Sequence, residues 1–305
     1  MTFSRDQIEL AYQLFLGRRP ESEAVVERKR KLPDEKALSR VFLASPEFRD
    51  RFAALNRSVA DDESPVVIHL HIPKTAGSSF NRILARNFEQ KTRFAWNREQ
   101  NRVFKKMTPQ QRQNIDLIFG HMTYGVHQEL RRNHINLFVL RDPKTRIYSY
   151  YKYVQIAEDH PFHKRVNHEA MSYGDFLNTA AQQPQYRWAI DNTQMLRIAG
   201  LDEFSDDADI DYAAEFRRAC QHAFSETCEF GLTEEFPAYL ERLKARGILT
   251  DTGEQRLNTT NSSESFQAAM QTLTPHEHEL LDSYTQWDQK FYSICKTYLE
   301  SISGH

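Results

Sequence analysis

The stretch at residues 66–80 constrains this chain most, because an apolar run there breaks into small polar residues and then starts a helix. The run Val66-Val67-Ile68-His69-Leu70 predicts a buried strand, and Gly77 lets the backbone of the following loop approach a ligand closely. The free N–H groups at the start of the helix and the positive end of its dipole favour an anion there. We expect these amides at Ser78, Ser79 and Phe80, with an ammonium group from Lys74 and hydroxyls from Thr75, Ser78 and Ser79. The stretch therefore predicts a phosphate-binding loop.

The order of residues in this loop bears on the class of enzyme. The Walker pattern of nucleotide triphosphatases places its Lys after the last Gly and follows it with the Ser or Thr that holds magnesium. In this chain Lys74 precedes Gly77. The order argues against an ordinary kinase or ATPase loop, and a sugar or nucleotide kinase is kept as the alternative enzyme.

A second anion-binding segment follows another apolar run, at residues 135–140. Asp142 and Pro143 suit the N-cap and the first turn of a helix, so Arg141 stands at the carboxyl edge of a strand. In open α/β sheets ligands bind outside the carboxyl ends of the strands, which puts Arg141 on the same rim as Lys74. Ser149 lies two turns into the predicted helix.

These two segments carry a resemblance. His71-Ile72-Pro73-Lys74-Thr75-Ala76-Gly77-Ser78-Ser79-Phe80 resembles the 5'-phosphosulfate loop of the carbohydrate sulfotransferases related to heparan sulfate 2-O-sulfotransferase. In that family an Arg and a Ser eight positions later hold the 3'-phosphate of 3'-phosphoadenosine 5'-phosphosulfate (PAPS), and Arg141 and Ser149 match that spacing. The resemblance covers residues 66–300. It implies PAPS as the donor, no metal, and a donor site formed by Lys74, Thr75, Ala76, Gly77, Ser78, Ser79, Arg141 and Ser149.

An acceptor hydroxyl must lose its proton as it attacks sulfur, and His121 is the best candidate for the base. It follows an apolar strand at residues 115–119 and a Gly, and a neutral imidazole suits proton abstraction. In the resembling family a His in this place is the general base. His127 lacks the strand context, and we expect no carboxylate in an equivalent position on the rim. Lys74 is expected to neutralise the leaving bisphosphate.

Weaker similarity to the family extends further along the chain. Residues 188–200 resemble its helix across the acceptor site, which suggests Asn192, Gln194 and Arg197 as substrate contacts. The polar loop at residues 256–262 resembles its donor-closing segment, with Arg256 and Thr260 as further donor ligands. Residues 158–187 carry much charge without a clean period, and we expect a substrate-facing loop there.

Composition limits the partners and the location. The 40 Lys and Arg residues balance 42 Asp and Glu residues, and the net charge of −2 gives no general reason to expect nucleic acid or an anionic membrane. No run approaches the roughly 18 apolar residues of a membrane span, and the N-terminus lacks the layout of a signal peptide. The odd number of cysteines, without a Cys-x-x-Cys pair, suits reduced thiols. We expect a cytoplasmic, bacterial member of the family. The spacing of the histidines does not predict zinc.

The pattern of elements predicts two units. Residues 1–58 show helical spacing, and the segments 17–20 and 42–49 resemble a small helical domain found beside bacterial sugar-modifying enzymes. A polar linker leads to residues 66–300, where alternating strands and helices predict a parallel sheet. The expected fold is therefore α/β, a parallel sheet flanked by helices of the P-loop-like sulfotransferase type, with a small all-α N-terminal domain. The expected function is sulfuryl transfer from PAPS to a carbohydrate hydroxyl, and an idle nucleotide-binding module is the non-enzymatic alternative.

Overall fold

The computed structural model describes residues 3–48, 64–130, 132–201, 210–253 and 262–303. In these ranges a five-stranded sheet has the order β2-β3-β1-β4-β5, and every neighbouring pair is parallel. The strands are β1 Val66–Leu70, β2 Arg93–Trp96, β3 Leu117–Gly120, β4 His134–Leu140 and β5 Cys228–Leu232. The predicted parallel α/β sheet is confirmed.

The sheet is covered on both faces because successive side chains of a strand point to opposite sides. Ile68 of β1 and Phe138 of β4 belong to one apolar cluster, while Val67 and Leu137 belong to another. This alternation explains why uninterrupted apolar runs, rather than alternating ones, marked the strands in the sequence.

Helices connect and cover the strands. The N-terminal ones are α1 Arg5–Leu16, α2 Glu23–Arg30 and α3 Glu35–Leu43. Between the strands lie α4 Gly77–Asn87, α5 Arg98–Lys106, α6 Pro109–Gln113, α7 Pro143–Ile156, α8 His163–His168, α9 Tyr173–Gln182, α10 Pro184–Arg187, α11 Thr193–Ala199 and α12 Tyr212–Ala223. After β5 come α13 Phe236–Ala245, α14 Ser262–Thr272 and α15 Pro275–Ser303. Two 3-10 turns, Val126–Glu129 and Thr233–Glu235, complete the described elements.

The expectation of a loop at residues 158–187 is wrong, since this segment contains α8, α9 and α10. Phe162, Val166, Phe176 and Leu177 are buried in a cluster with apolar residues of α7. Each of these helices is short, so none shows the long 3.6-residue period that would have distinguished it from a charged loop.

The helices α1 to α3 close a small apolar core of their own. This core also packs on the rest of the chain, with the Phe15 ring 6.2 Å from Phe224 and the Phe48 ring 5.9 Å from Tyr298 of α15. The expected linker lies outside the described residues, and the division into 1–58 and 66–300 stays a prediction.

Two sequence expectations concern features outside the site. Cys220, Cys228 and Cys295 are free and buried, and burial raises the pKa of each thiol. Among the described helices, none combines the length and the apolar character that a membrane span requires.

Candidate active site

Three candidate residues leave three neighbouring strands at one edge of the sheet. His121 directly follows β3, Lys74 follows β1 and Arg141 directly follows β4. The chain places β2 and β3 on one side of β1 and β4 on the other, so the carboxyl end of β1 is the topological switch point where α/β sheets bind ligands. Nη1 of Arg141 donates a hydrogen bond of 3.4 Å to the carbonyl oxygen of Lys74. The two predicted anion-binding segments therefore meet.

The loop after β1 has an unusual backbone. Lys74 and Ala76 both have positive φ, at 70° and 62°, in the left-handed region that residues with a Cβ rarely adopt. Such conformations cost about 1–3 kcal/mol each, persist only where the surroundings fix them, and cluster at ligand-binding sites. The buried hydroxyl of Thr75 donates to the carbonyl oxygen of Ile72 at 2.9 Å and stabilises the turn in the backbone of this loop. That hydroxyl is thus engaged within the loop in this structure, and its expected contact with the donor stays a prediction.

The free amides at the start of α4 differ from the sequence expectation, which named Ser78, Ser79 and Phe80. The helix begins at Gly77, so the amides of Ser79 and Phe80 already donate to the carbonyl oxygen of Ala76, at 3.0 and 3.1 Å. Within the described part of the chain, the amides of Gly77 and Ser78 have no such acceptor. The amides left without a helical acceptor are thus those of the first two helical residues, Gly77 and Ser78, and these are the groups that an anion at this helix start would meet.

Lys74 is half-buried beside the loop. Its Nζ lies 4.5 Å from the centroid of the Tyr153 ring, a cation–π contact with a residue of α7. Burial lowers the pKa of Lys74, and the nearby positive charge of Arg141 lowers it further. An anion bound between these two cations would favour the charged form of both.

Arg141 is held at its backbone. The side-chain amide of Gln194 in α11 accepts from the Arg141 N–H and donates to the Arg141 carbonyl oxygen, both at 2.9 Å. Asp142 caps α7 by accepting from the amide of Thr145 at 3.0 Å, which confirms the predicted cap. Burial lowers the pKa of Arg141. Ser149 lies two turns into α7 and is partly exposed.

The imidazole of His121 is exposed on the same rim and has a defined orientation. Its Nδ1 lies 3.0 Å from the main-chain oxygen of His71, which can only accept, so Nδ1 carries the proton. In the neutral ring the lone pair then belongs to Nε2. His121 can therefore accept a proton at Nε2.

A sequence profile of the sulfotransferase family matches residues 57–286, which is most of the chain and includes all three strand ends. This chain belongs to the sulfotransferase family. It is a sulfotransferase enzyme that transfers a sulfuryl group, and its family generally uses PAPS as the donor. A search among curated proteins found no match. The kinase and the idle module, kept as alternatives from the sequence, are set aside by the family match.

Two of the expected acceptor contacts of this sulfotransferase are buried and engaged elsewhere. Asn192 accepts from the amides of Trp287 and Asp288 at 2.7 and 2.9 Å, while Gln194 holds Arg141. The carboxylate of Asp288 in turn accepts from the amides of Gln194 and Met195 at 3.2 and 2.7 Å. Both amide side chains thus position the rim from within the fold, because Gln194 bonds the backbone after β4 while Asn192 bonds the backbone of α15.

Arg197 remains a candidate for the acceptor. It is partly exposed, and its charge adds a smaller contribution to that of burial in lowering the pKa of the His71 ring. Arg256 and Thr260 lie outside the described residues, and their donor contacts stay predictions. Across the described ranges there is no group of three or more His, Cys, Asp or Glu residues that could hold a metal.

The sequence reasoning missed a carboxylate on the rim of the sulfotransferase. Glu234 follows β5 and accepts from the amide of Asp142 at 3.0 Å and from the Tyr292 hydroxyl at 3.2 Å. Its negative charge raises the pKa of Arg141, against the effect of burial. Glu234 lies beside Arg141 after the edge strand β5 and not in a position equivalent to that of His121 after β3, so the expectation that His121 has no equally placed carboxylate as a rival stays a prediction. The rule that located Arg141, a polar residue after a buried strand, would have found Glu234.

Proposed function

We propose that this sulfotransferase transfers the sulfuryl group of PAPS to a hydroxyl of a carbohydrate, and that it is a bacterial relative of heparan sulfate 2-O-sulfotransferase. One observation carries the proposal: Lys74, His121 and Arg141 leave adjacent parallel strands at one rim, with Arg141 hydrogen-bonded to the Lys74 backbone. Two cations and a neutral imidazole suit sulfuryl transfer to a hydroxyl, because cations stabilise the charge on the leaving group and the imidazole can take the hydroxyl proton. The cytoplasmic location stays a prediction from the sequence.

The donor fits the loop by charge and by hydrogen-bonding groups. Two helix amides without a partner in the described chain, the hydroxyls of Ser78 and Ser79, and the ammonium group of Lys74 would hold the 5'-phosphosulfate, with the backbone of Thr75 and Ala76 around it. Arg141 and Ser149 would hold the 3'-phosphate. PAPS supplies the sulfuryl group when bound. Because that group carries less negative charge than a phosphoryl group, these donors can stabilise the transfer.

His121 would take the proton of the acceptor. As the acceptor oxygen forms its bond to sulfur, its proton moves to Nε2 of His121, and the bond between sulfur and the bridging oxygen breaks. Lys74 would lie beside that bridging oxygen and balance the negative charge left on adenosine 3',5'-bisphosphate. Arg197, whose charge acts on the neighbouring His71 ring, would contact the acceptor.

The carbohydrate class of the acceptor rests on two observations. The phosphate loops resemble those of carbohydrate sulfotransferases, and exposed Tyr153 and Ile156 stand on α7, with the Tyr153 ring against Lys74. Tyrosine offers a sugar both an apolar ring face and a polar hydroxyl. Labelled PAPS with a panel of bacterial capsular and lipid-linked glycans should label the glycans. Label found only in phenolic or protein acceptors would contradict the carbohydrate assignment.

Replacing His121 tests the base directly. We expect His121→Asn to lower kcat by about 10²- to 10⁴-fold and to leave the affinity for adenosine 3',5'-bisphosphate nearly unchanged, because a base acts only in the transition state. His127→Asn is the matched control, since His127 stacks on His134 away from the rim, 4.4 Å between ring centroids. Full activity in His121→Asn would transfer the role of base to another group, and Glu234→Gln would then be the variant to examine.

A further inference from the structure

His71 lies at the centre of the rim, between the phosphate loop and His121. It follows the last residue of β1, and its side chain is buried. Burial lowers the pKa of His71 to about 2, so its ring is neutral at any pH near neutrality. A neutral buried ring in this place neither binds an anion by charge nor acts as the base. Its contacts therefore define what it does.

One edge of the His71 ring fills the space beside Gly77. A Cβ built on Gly77 would lie 1.8 Å from Cδ2 of His71 and 2.2 Å from its Nε2, distances that no side chain tolerates. Gly77 is thus required by the approach of the His71 ring rather than by a positive φ. The first residue of α4, whose amide faces the proposed phosphate site, rests against this ring.

The face of the same ring supports His121. The two ring centroids are 4.2 Å apart with an angle of 25° between the planes, and His121 Nδ1 donates to the His71 main-chain oxygen. One residue therefore fixes both the tautomer and the plane of His121. The hydrogen bond holds one atom of the imidazole, and the stacked ring limits its rotation about that atom.

The orientation of the His71 ring is itself fixed from α4. The Asn81 side-chain nitrogen lies 3.4 Å from His71 Nδ1, and the Asn81 oxygen lies 2.6 Å from Nδ1 of His69. If His69 donates to the oxygen, the amide nitrogen donates to His71, and the two bonds are mutually consistent. The helix that begins at the phosphate loop thereby sets the plane on which His121 rests.

We propose that His71 is a positioning residue, whose flat buried ring sets the position of the His121 imidazole relative to the phosphate loop at Gly77. This inference rests on the proposed role of His121 as the base. A nucleophile and its base must be aligned to within a fraction of an ångström for full effect, so loss of the flat surface should lower kcat more than donor affinity. The fold and the donor loop need only an apolar side chain that fills the space of the His71 ring.

A pair of variants separates the flat surface from the filled volume. His71→Phe and His71→Leu are both apolar, both remove the contact with Asn81, and both retain the main-chain oxygen that His121 uses. We expect His71→Phe to keep kcat within about fivefold of the wild type and His71→Leu to lose about tenfold or more, since tenfold corresponds to about 1.4 kcal/mol of activation free energy. The dissociation constant of adenosine 3',5'-bisphosphate should stay within about threefold in both.

Further outcomes decide the inference. Equal kcat values in the two variants, high or low, would overturn it, as would a drop in bisphosphate affinity that matches the drop in kcat. His69→Leu is the matched control, because His69 lies under His71 at 5.7 Å and does not reach His121 by stacking. A kcat loss in His69→Leu as large as in His71→Leu would also overturn it. Failure of the base assignment is recognised separately, by a fully active His121→Asn.

Discussion

Two arginines stand at opposite ends of the same strand, β4, and the protein uses them differently. Arg132, before the strand, donates to the carbonyl oxygens of Gln113, Ile115 and Ser64 and to Asp116, at 2.7 to 3.4 Å. Arg141, after the strand, has a guanidinium whose one hydrogen bond within the described chain is the 3.4 Å contact to Lys74. The first arginine closes the amino end of the sheet, while the second has N–H donors that the proposed donor site would use. Residue type alone therefore does not distinguish a structural cation from a binding one.

The largest effect expected from this comparison concerns Lys74, at the same end of the sheet as Arg141. Lys74→Ala should lower turnover by about 10²-fold or more and weaken bisphosphate binding less, because the ammonium group acts mainly on charge that develops in the transition state. Steady-state kinetics and calorimetry would measure the two quantities. The control is Lys91→Ala, an exposed lysine near the amino end of the sheet, which should change neither. Unchanged turnover in Lys74→Ala would remove the loop from the mechanism.

Arg141→Ala should act on recognition of the donor. We expect the affinity for adenosine 3',5'-bisphosphate to fall by about 30-fold, as loss of a charge-assisted hydrogen bond implies, while the affinity for adenosine 5'-monophosphate changes little. The selectivity between the two nucleotides should shrink accordingly, which a calorimetric titration of both would show. If the two affinities fell equally, Arg141 would serve some group other than the 3'-phosphate.

Arg132→Ala should show the opposite pattern. Its partners lose a shared donor at the amino end of the sheet, and we expect the free energy of unfolding to fall by about 2 kcal/mol. Because Arg132 is remote from the rim, kcat and donor KM should match the wild type at a temperature where both proteins are folded. Denaturant unfolding and kinetics on the same samples provide the test, and a selective loss of donor binding would contradict the comparison.

The smallest expected effect is a pH dependence of donor binding. The pKa of Lys74 is lowered from its ordinary value by burial first and by Arg141 second. Since only the charged form attracts an anion, bisphosphate affinity should fall a few-fold as the pH rises through this lowered pKa, at a pH below that of an ordinary lysine. Lys74→Arg should not show this alkaline decline, because a guanidinium stays charged. An identical decline in both proteins would assign it to another group.

The sequence predicted local features of this fold well. The break from Leu70 to Gly77 located β1 and α4, and Asp142 with Pro143 located the start of α7, because each signal lies within a few residues of the element it marks. The sheet then brought Lys74, His121 and Arg141 to one edge by the rule for parallel strands. Local signals for strand ends and helix starts, together with the sheet topology, were sufficient to predict that these three residues share one edge.

Features that depend on distant contacts were not predictable in the same way. Gln194 is 53 positions from Arg141, and its pairing with the Arg141 backbone has no signature in either segment. An amide on an amphipathic helix can serve a sugar or a backbone equally well, and only the packing of α11 decides. His71 likewise gave no signal beyond its position after a strand. Its proposed role depends on two contacts that only the folded chain forms, the stacking on the His121 ring and the close approach to Gly77.

The connection from Asp288 through Gln194 to Arg141 links the order of synthesis to the order in which the site forms. Asp288 belongs to α15, near the end of the sequence, and it anchors the helix whose Gln194 holds Arg141. A growing chain on the ribosome can complete the loop around Lys74 long before this anchor has been made. We expect Arg141 to be fixed in position only after α15 has emerged and docked. A shortened chain that ends before Asp288 would therefore lack the anchor that fixes the position of the second cation.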